Sequence, residues 1–182
     1  MTAINISVTR DIELKSWQIE NAPELFALCN KNRDYLSPWL PWVPSVKTVA
    51  DSGKFIADSL VEAEKKDGLE LGIWQKNKLV GCLGLHSLSL TNRRAEIGYW
   101  LDSDHQGQGI MTQSVKALIN YCFTKLNLNR LTIEAATENK PSNSIVQKLG
   151  FTQEGIIRQF EFVNGQFLDY KLYSLLRSEW RY

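Results

Sequence analysis

The chain has 182 residues, 43% hydrophobic and 23% charged, which suits one domain with a sizeable core and leaves little room for a second. Its formal net charge of +1 gives no bulk electrostatic reason to expect a nucleic acid or an anionic membrane as partner, so any anion site has to be local. Cys29, Cys82 and Cys122 are widely spaced without a CxxC pair, and there are only two histidines, which argues against zinc and disulfide frameworks.

The opening MTAINISVTRDIEL carries acidic residues and lacks a continuous apolar core, and no apolar run is long enough to span a bilayer. A cytoplasmic protein with three buried thiols is the expectation. No repeat, low-complexity tract or linker divides the sequence, so residues 1–182 are read as a single unit. NAPELFALCN reads as a helix start, with Asn21 as N-cap and Glu24 three residues on in a capping-box arrangement. In YLSPWLPWVPS, Pro38, Pro41 and Pro44 forbid a regular helix. They leave a stiff apolar loop around Trp39, Leu40, Trp42 and Val43 that serves as core packing or as a substrate wall. Helix is expected from about Thr48 to Lys66, with Gly68 as its stop.

Strand periodicity follows. ELGIW and KLVGCLGLH flank the polar turn 75–78 as a hairpin, with Leu79, Gly81, Leu83 and Leu85 on one face. AEIGYWL alternates as a third antiparallel strand, placing Ile97, Tyr99 and Leu101 opposite Glu96, Gly98 and Trp100. From Gly109 the period turns helical, because Met111, Val115, Leu118, Cys122 and Leu126 recur at spacings of three and four. RLTIEAA reads as a strand with Leu131, Ile133 and Ala135 on one face, and PSNSIVQKLG as a short helix with proline at its start and glycine at its end. FEFVNGQFLDYKLYSLL centres on Asn164-Gly165, a type I′ hairpin signal. This order implies an α/β or α+β mixed sheet with helices on both faces.

The stretch HQGQGIMTQSVKAL sets Gly107 and Gly109 at the end of a polar loop just before a helix. Backbone N–H groups there lack intrahelical partners, glycine removes the Cβ that would block an approaching phosphate, and the helix dipole adds attraction. A phosphate cradle and an ordinary tight turn both fit. A dinucleotide fingerprint does not, since Thr112 stands where its third glycine would be, and a P-loop does not, since Ile110-Met111 follow Gly109.

Within GYWLDSDHQGQGIMTQSVKALINYCF, the strand, loop and helix resemble the acetyl-CoA-binding motif of the GNAT acyltransferase superfamily, Gln/Arg-x-x-Gly-x-Gly/Ala. Gln106 and Gly109 match it, whereas Met111 replaces the last small residue in a way that resembles the RimJ/RimL branch and its GKGxM. ENKPSNSIVQKLGF resembles that branch's DNxxSNxVxxxxGF, and EGIIRQFEFVNGQFLDYKLYSLL and YLSPWLPWV resemble its other segments, so the likeness covers most of the chain.

The resemblance implies a GNAT fold with a largely antiparallel central sheet, and direct transfer of acetyl from acetyl-CoA to an amine without an acyl-enzyme. It places the pyrophosphate on the backbone of Gln106, Gly107, Gln108, Gly109, Met111 and Thr112. Tyr99-Trp100-Leu101 would splay from the strand Leu131 to Ala136, to bind pantetheine and polarise the thioester carbonyl. The tyrosine acid that many members carry is replaced by Val146. Ser142 is then implied as the thiolate partner and Glu161 as the base, with Glu96 or His86 in reserve. Asn139 and Asn143 are candidates for contact with CoA or the acceptor, and Trp39, Trp42 and the Asn164-Gly165 hairpin for walls of the acceptor cleft.

Without the family, Ser142 reads as a residue satisfying a donor at a helix start, the asparagines as caps, and Glu161 as a solvent-facing residue between Phe160 and Phe162. The acceptor implied is the α-amino group at a protein N-terminus of the ribosomal type. Polyamine or aminoglycoside acetylation, or a non-catalytic acyl-CoA-binding module, are the alternatives, and a homodimer through the late strands stays open. No metal or redox cofactor has an evident site.

Overall fold

The computed structural model describes residues 4–181; residues 1–3 and 182 of the expected 1–182 unit lie outside it. Its frame is one eight-stranded sheet in the order β1-β2-β3-β4-β5-β6-β8-β7. The strands are β1 (Asn5–Ser7), β2 (Ile12–Ser16), β3 (Leu69–Gln75), β4 (Lys78–Ser89), β5 (Arg94–Leu101), β6 (Arg130–Ala136), β7 (Thr152–Val163) and β8 (Gln166–Leu176). Every neighbouring pair is antiparallel except β5 and β6, between which the chain crosses over as a helix. The helices are α1 (Ala22–Lys31), α2 (Arg33–Leu36), α3 (Val49–Lys65), α4 (Ile110–Thr124) and α5 (Lys140–Lys148).

Helices cover both faces, as the order of elements implies. On one face Val115, Leu118, Ile119 and Cys122 of α4 and Val146 of α5 pack on Leu14, Leu71, Leu83, Ile97, Leu131 and Ile133. On the other, Leu25 of α1 and Ile56 of α3 pack with Trp17, Leu79 and Cys82. All three cysteines are free and buried. Among the described residues no helix is long and apolar enough to cross a membrane.

A bulge explains one departure from the sequence reading. The β3–β4 register steps from Ile73↔Gly81 to Trp74↔Leu79, leaving Val80 unopposed. One extra residue inverts the alternation, so Val80 joins Leu83 and Leu85 beneath α4 while Leu79 turns to the α1 and α3 side. Leu79 therefore does not share a face with Leu83. The apolar run LVGCLGL tolerates this because both of its faces are buried.

Local signals at the helix ends also resolve differently from expectation. Asn21 makes no cap bond to α1; its Oδ1 accepts from Gln18 N at 2.9 Å, closing a 3₁₀ turn. Glu24 accepts from Leu79 N at 3.0 Å and ties α1 to β4. Thr48 and Asp51 form the capping box of α3, and Lys66, with φ 63°, ends that helix before Gly68 is reached. The short β1 and β2 were not anticipated, since too few of their residues alternate. Asn164 and Gly165, with φ 50° and 83°, make the expected turn between β7 and β8.

Leu118 is fully buried at the centre of the α4 face. Leu118→Ala is expected to cost about 2–5 kcal/mol, read as a lower urea midpoint.

Candidate active site

The site begins where a strand pair stops. β5 and β6 are in register only over Arg94↔Arg130, Ala95↔Leu131 and Glu96↔Thr132. Beyond that, Ile97 to Leu101 continue against β4 while Ile133 to Ala136 continue against β8, so the two strands part. A cavity of about 480 Å³ opens there, lined by Tyr99, Trp100 and Leu101, by Gln106, Gly107, Gly109, Met111 and Thr112, by Asn139 and Ser142, and by Trp39.

Gly107 and Gly109 have φ 71° and 75°, a conformation that glycine adopts without strain. A Cβ on Gly107 would meet nothing within 4 Å, and one on Gly109 only Gln113 Nε2 at 3.5 Å. The loop is thus open on its outer side, and the N–H groups of the first turn of α4 precede the first intrahelical bond, from Gln113 N to Gly109 O at 3.0 Å. Such a geometry suits a diphosphate. Met111 buries its side chain in the core, which is how the loop accommodates a large residue there. The Gln108 side chain lies outside the cavity wall and donates to Asp104 O at 3.2 Å.

A buried carboxylate anchors this loop. Asp102 accepts from Lys31 Nζ (2.9 Å to each oxygen), Asn32 Nδ2 (2.8 Å) and His105 Nδ1 (2.7 Å). Asn32 Oδ1 in return accepts from Ser103 N at 2.9 Å, and Lys31 also reaches Asp104 at 2.7 Å. Burial pushes the Asp102 carboxyl up, but hydrogen bonds from Lys31, Asn32 and His105 together outweigh it and hold it below the usual range. His105 lines the cavity beside the glycines. Sequence reasoning missed this cluster, because Lys31 and Asp102 meet only in the fold.

On α5, Asn139 is the N-cap and accepts from Ser142 N at 3.2 Å. Asn143 does not reach the cavity, contrary to expectation. Its Nδ2 donates to Ala136 O (2.9 Å) and Asn139 O (2.7 Å), and its Oδ1 accepts from Tyr173 OH (2.7 Å), so its polar atoms hold α5 to the sheet. The Ser142 hydroxyl lies 3.0 Å from that of Tyr99. Burial pushes the Tyr99 hydroxyl up to about 12, against the opposing pull of its bond to Ser142. Val146 is fully buried.

Of the remaining candidates, only Trp39 lines this cavity. Trp42 packs on Trp100 at 6.4 Å between ring centroids, whereas Trp39 does line the wall. Glu96 belongs to a second cavity of about 310 Å³ with Arg94, Arg130, Thr132 and Glu134. Burial raises the Glu96 carboxyl, and burial together with Glu96 raises that of Glu134. His86 lies against Glu70 (3.4 Å) and over Gly98, away from the main cavity.

Glu161 follows a register shift between Ile157 and Glu161, with Gln159 at φ 50°. The shift leaves Phe160 and Phe162 exposed and Glu161 half-buried, the reverse of what simple alternation gives. The Tyr170 hydroxyl is pushed up to about 12 by burial and by the carboxylates of Glu161 and Glu134. It donates to Trp39 O at 3.4 Å, and Asn164 Nδ2 donates to Ser37 O at 3.0 Å, so the β7–β8 hairpin is latched to the tryptophan loop. Among the described residues, no group of three or more His, Cys, Asp or Glu could hold a metal ion.

Residues 11–152 match the family model described as the acetyltransferase (GNAT) domain. The chain belongs to the GNAT acetyltransferase family. It is 35% identical to the putative ribosomal N-acetyltransferase YdaF of Bacillus subtilis (strain 168), over 95% of each chain. It is 31% identical to the ribosomal-protein-serine acetyltransferase of Escherichia coli (strain K12), over 93% of this chain and 94% of that one. Among solved structures it is similar to RimL, a ribosomal L7/L12 α-N-protein acetyltransferase in complex with coenzyme A, with a TM-score of 0.93 and 29% identity over 95% and 98% of the two chains. The GNAT enzyme is acetyl-CoA-dependent, and its open glycine loop and parted strands suit a diphosphate followed by a slender pantetheine arm.

The folded-state carboxyl of Asp102 is depressed, so its contribution to stability is present above the unfolded value of about 3.9 and lost as pH falls through the lower folded value. Asp102→Asn is expected to cost about 1–3 kcal/mol at pH 7. Urea titrations at pH 7 and pH 3 should show the gap to wild type narrowing in acid; a constant gap would contradict the assignment.

Proposed function

We propose that this enzyme acetylates the α-amino group at a protein N-terminus of the ribosomal type, with Glu161 as base and Ser142 as the group facing the leaving thiolate. The observation that carries the acceptor class is the full-length similarity to relatives named for ribosomal proteins. Cytoplasmic residence goes with such an acceptor. Pairing of two copies along the outer edge of β7, where Ile156, Phe160 and Phe162 stand exposed, is the oligomeric reading that this surface supports.

In the proposed reaction a neutral amine attacks the thioester carbonyl, and the developing oxyanion is met by backbone N–H groups of the parted β5. Glu161 takes the amine's proton, and the carbon–sulfur bond breaks with its electron pair passing to sulfur. Glu96, whose carboxyl burial already raises, is the reserve base. Direct transfer is supported by the placement of the thiols: Cys29, Cys82 and Cys122 are all buried and none lines the 480 Å³ cavity.

The deciding experiment is thiol release from acetyl-CoA against peptides beginning with Ser, Ala or Met, then spermidine, then an aminoglycoside. Turnover confined to one of the peptides is the expected result. Turnover with spermidine or the aminoglycoside alone would move the enzyme to a small-amine acceptor, and silence with CoA still bound would favour a non-catalytic module. Glu161→Gln is expected to lower kcat by about 10²-fold, most steeply at low pH where the amine is protonated, with CoA affinity retained. Gly109→Trp is expected to abolish CoA binding in a calorimetric titration, by straining a φ of 75° and filling the cradle.

A further inference from the structure

The helix that bears Ser142 has no tyrosine to offer, since Val146 is buried in its place, yet a tyrosine hydroxyl does stand beside the serine. It comes from the sheet. Tyr99 projects from β5 at the point where β5 has parted from β6, and its hydroxyl sits 3.0 Å from Ser142 Oγ and 3.4 Å from Ser142 O. Both residues line the 480 Å³ cavity. We infer that Tyr99 is a positioning residue for the transfer reaction, donating its hydroxyl proton to Ser142 Oγ so that the serine's own proton is aimed at the departing sulfur. The inference rests on the proposed role of Ser142.

Hydrogen-bond accounting favours that direction. A serine near a helix start can ordinarily turn its proton back to the preceding carbonyls. Here Asn139 O already accepts from Asn143 N (3.0 Å) and Asn143 Nδ2 (2.7 Å), while Glu138 O accepts from Lys140 N (2.8 Å). Ser142 Oγ has one protein partner among the described residues, the Tyr99 hydroxyl. If Ser142 donates to Tyr99, the serine's proton is spent within the pair and the Tyr99 proton is left to Ser142 O at the longer 3.4 Å. If Tyr99 donates to Ser142, both hydroxyl protons are used once a sulfur is in the cavity, and a chain of two bonds polarises the second.

Burial holds the Tyr99 hydroxyl at about 12, so it stays protonated through the working range and keeps its proton. The part assigned to Tyr99 is that of an orienting donor, on the strength of its 3.0 Å contact with Ser142 Oγ. The balance is simple: the carbon–nitrogen bond forms, the carbon–sulfur bond breaks, the amine's proton goes to the proposed carboxylate base, and CoA departs as a thiolate hydrogen-bonded by Ser142.

The test is a cycle of Tyr99→Phe, Ser142→Ala and the double variant, with kcat and acetyl-CoA KM measured on an accepted peptide and CoA affinity measured by calorimetry. Expected are a fall in kcat of about fivefold to tenfold for Tyr99→Phe, an acetyl-CoA KM and CoA affinity within about twofold of wild type, and a double variant no slower than Ser142→Ala. Additive losses, or a loss confined to KM, would overturn the inference. Slow Ser142→Ala with unimpaired Tyr99→Phe would overturn it while leaving the serine's role standing. Full turnover by Ser142→Ala would overturn that role and this inference together. Should Tyr99→Phe fold poorly, 3-fluorotyrosine at position 99 keeps ring and hydroxyl; turnover near wild type is expected, and a tenfold loss would count against the bond.

Discussion

Two parallel strands that separate after three rungs leave rows of backbone N–H and C=O groups facing each other across a gap, and buried groups of that kind need partners. The site is organised around this unsatisfied backbone. β5 and β6 are each held on their other side, by β4 and β8, so the gap cannot close by collapse. An extended ligand with amide groups of its own can fill it. Strand alternation sends the consecutive Tyr99 and Trp100 to opposite sides of the sheet at this gap: Tyr99 toward α5 and the core, Trp100 toward the apolar clusters on the other face. One interruption in a ladder thus opens the cavity into which Tyr99 projects.

A net charge of +1 conceals a strong local separation. At one end of the cleft stand backbone donors and the positive end of α4, suited to phosphate. Glu96 and Glu134 line a second cavity with Arg94 and Arg130; burial raises both carboxyls, and Glu96 adds to the rise of Glu134. Composition alone could exclude a large polyanion but had no means of revealing this division.

The elements easiest to read in the sequence were those governed by local chemistry. The glycine loop, the period of α4 and the Asn164-Gly165 turn all rest on conformational preferences within a few residues. What escaped was settled by partners far along the chain. The Val80 bulge needs β3 opposite it, Glu24 leaves its expected cap role for Leu79, and Asn143 is drawn from the cavity to Tyr173. Glu161 is instructive because the alternation of its neighbours pointed outward, and only the register shift before it turned the carboxylate toward Tyr170. The Tyr99–Ser142 contact spans 43 residues and had no local signature at all.

Asp102 binds the last residue of α1, the asparagine that follows it, and His105 of the cradle loop. Beyond Asn32 the chain runs directly through α2 into the loop of Trp39. A single carboxylate therefore stands at the joint between the glycine loop and the tryptophan loop. Thermodynamic linkage works in both directions through such a joint. Whatever coupling passes through Asp102 is therefore the same in size whichever side is engaged first.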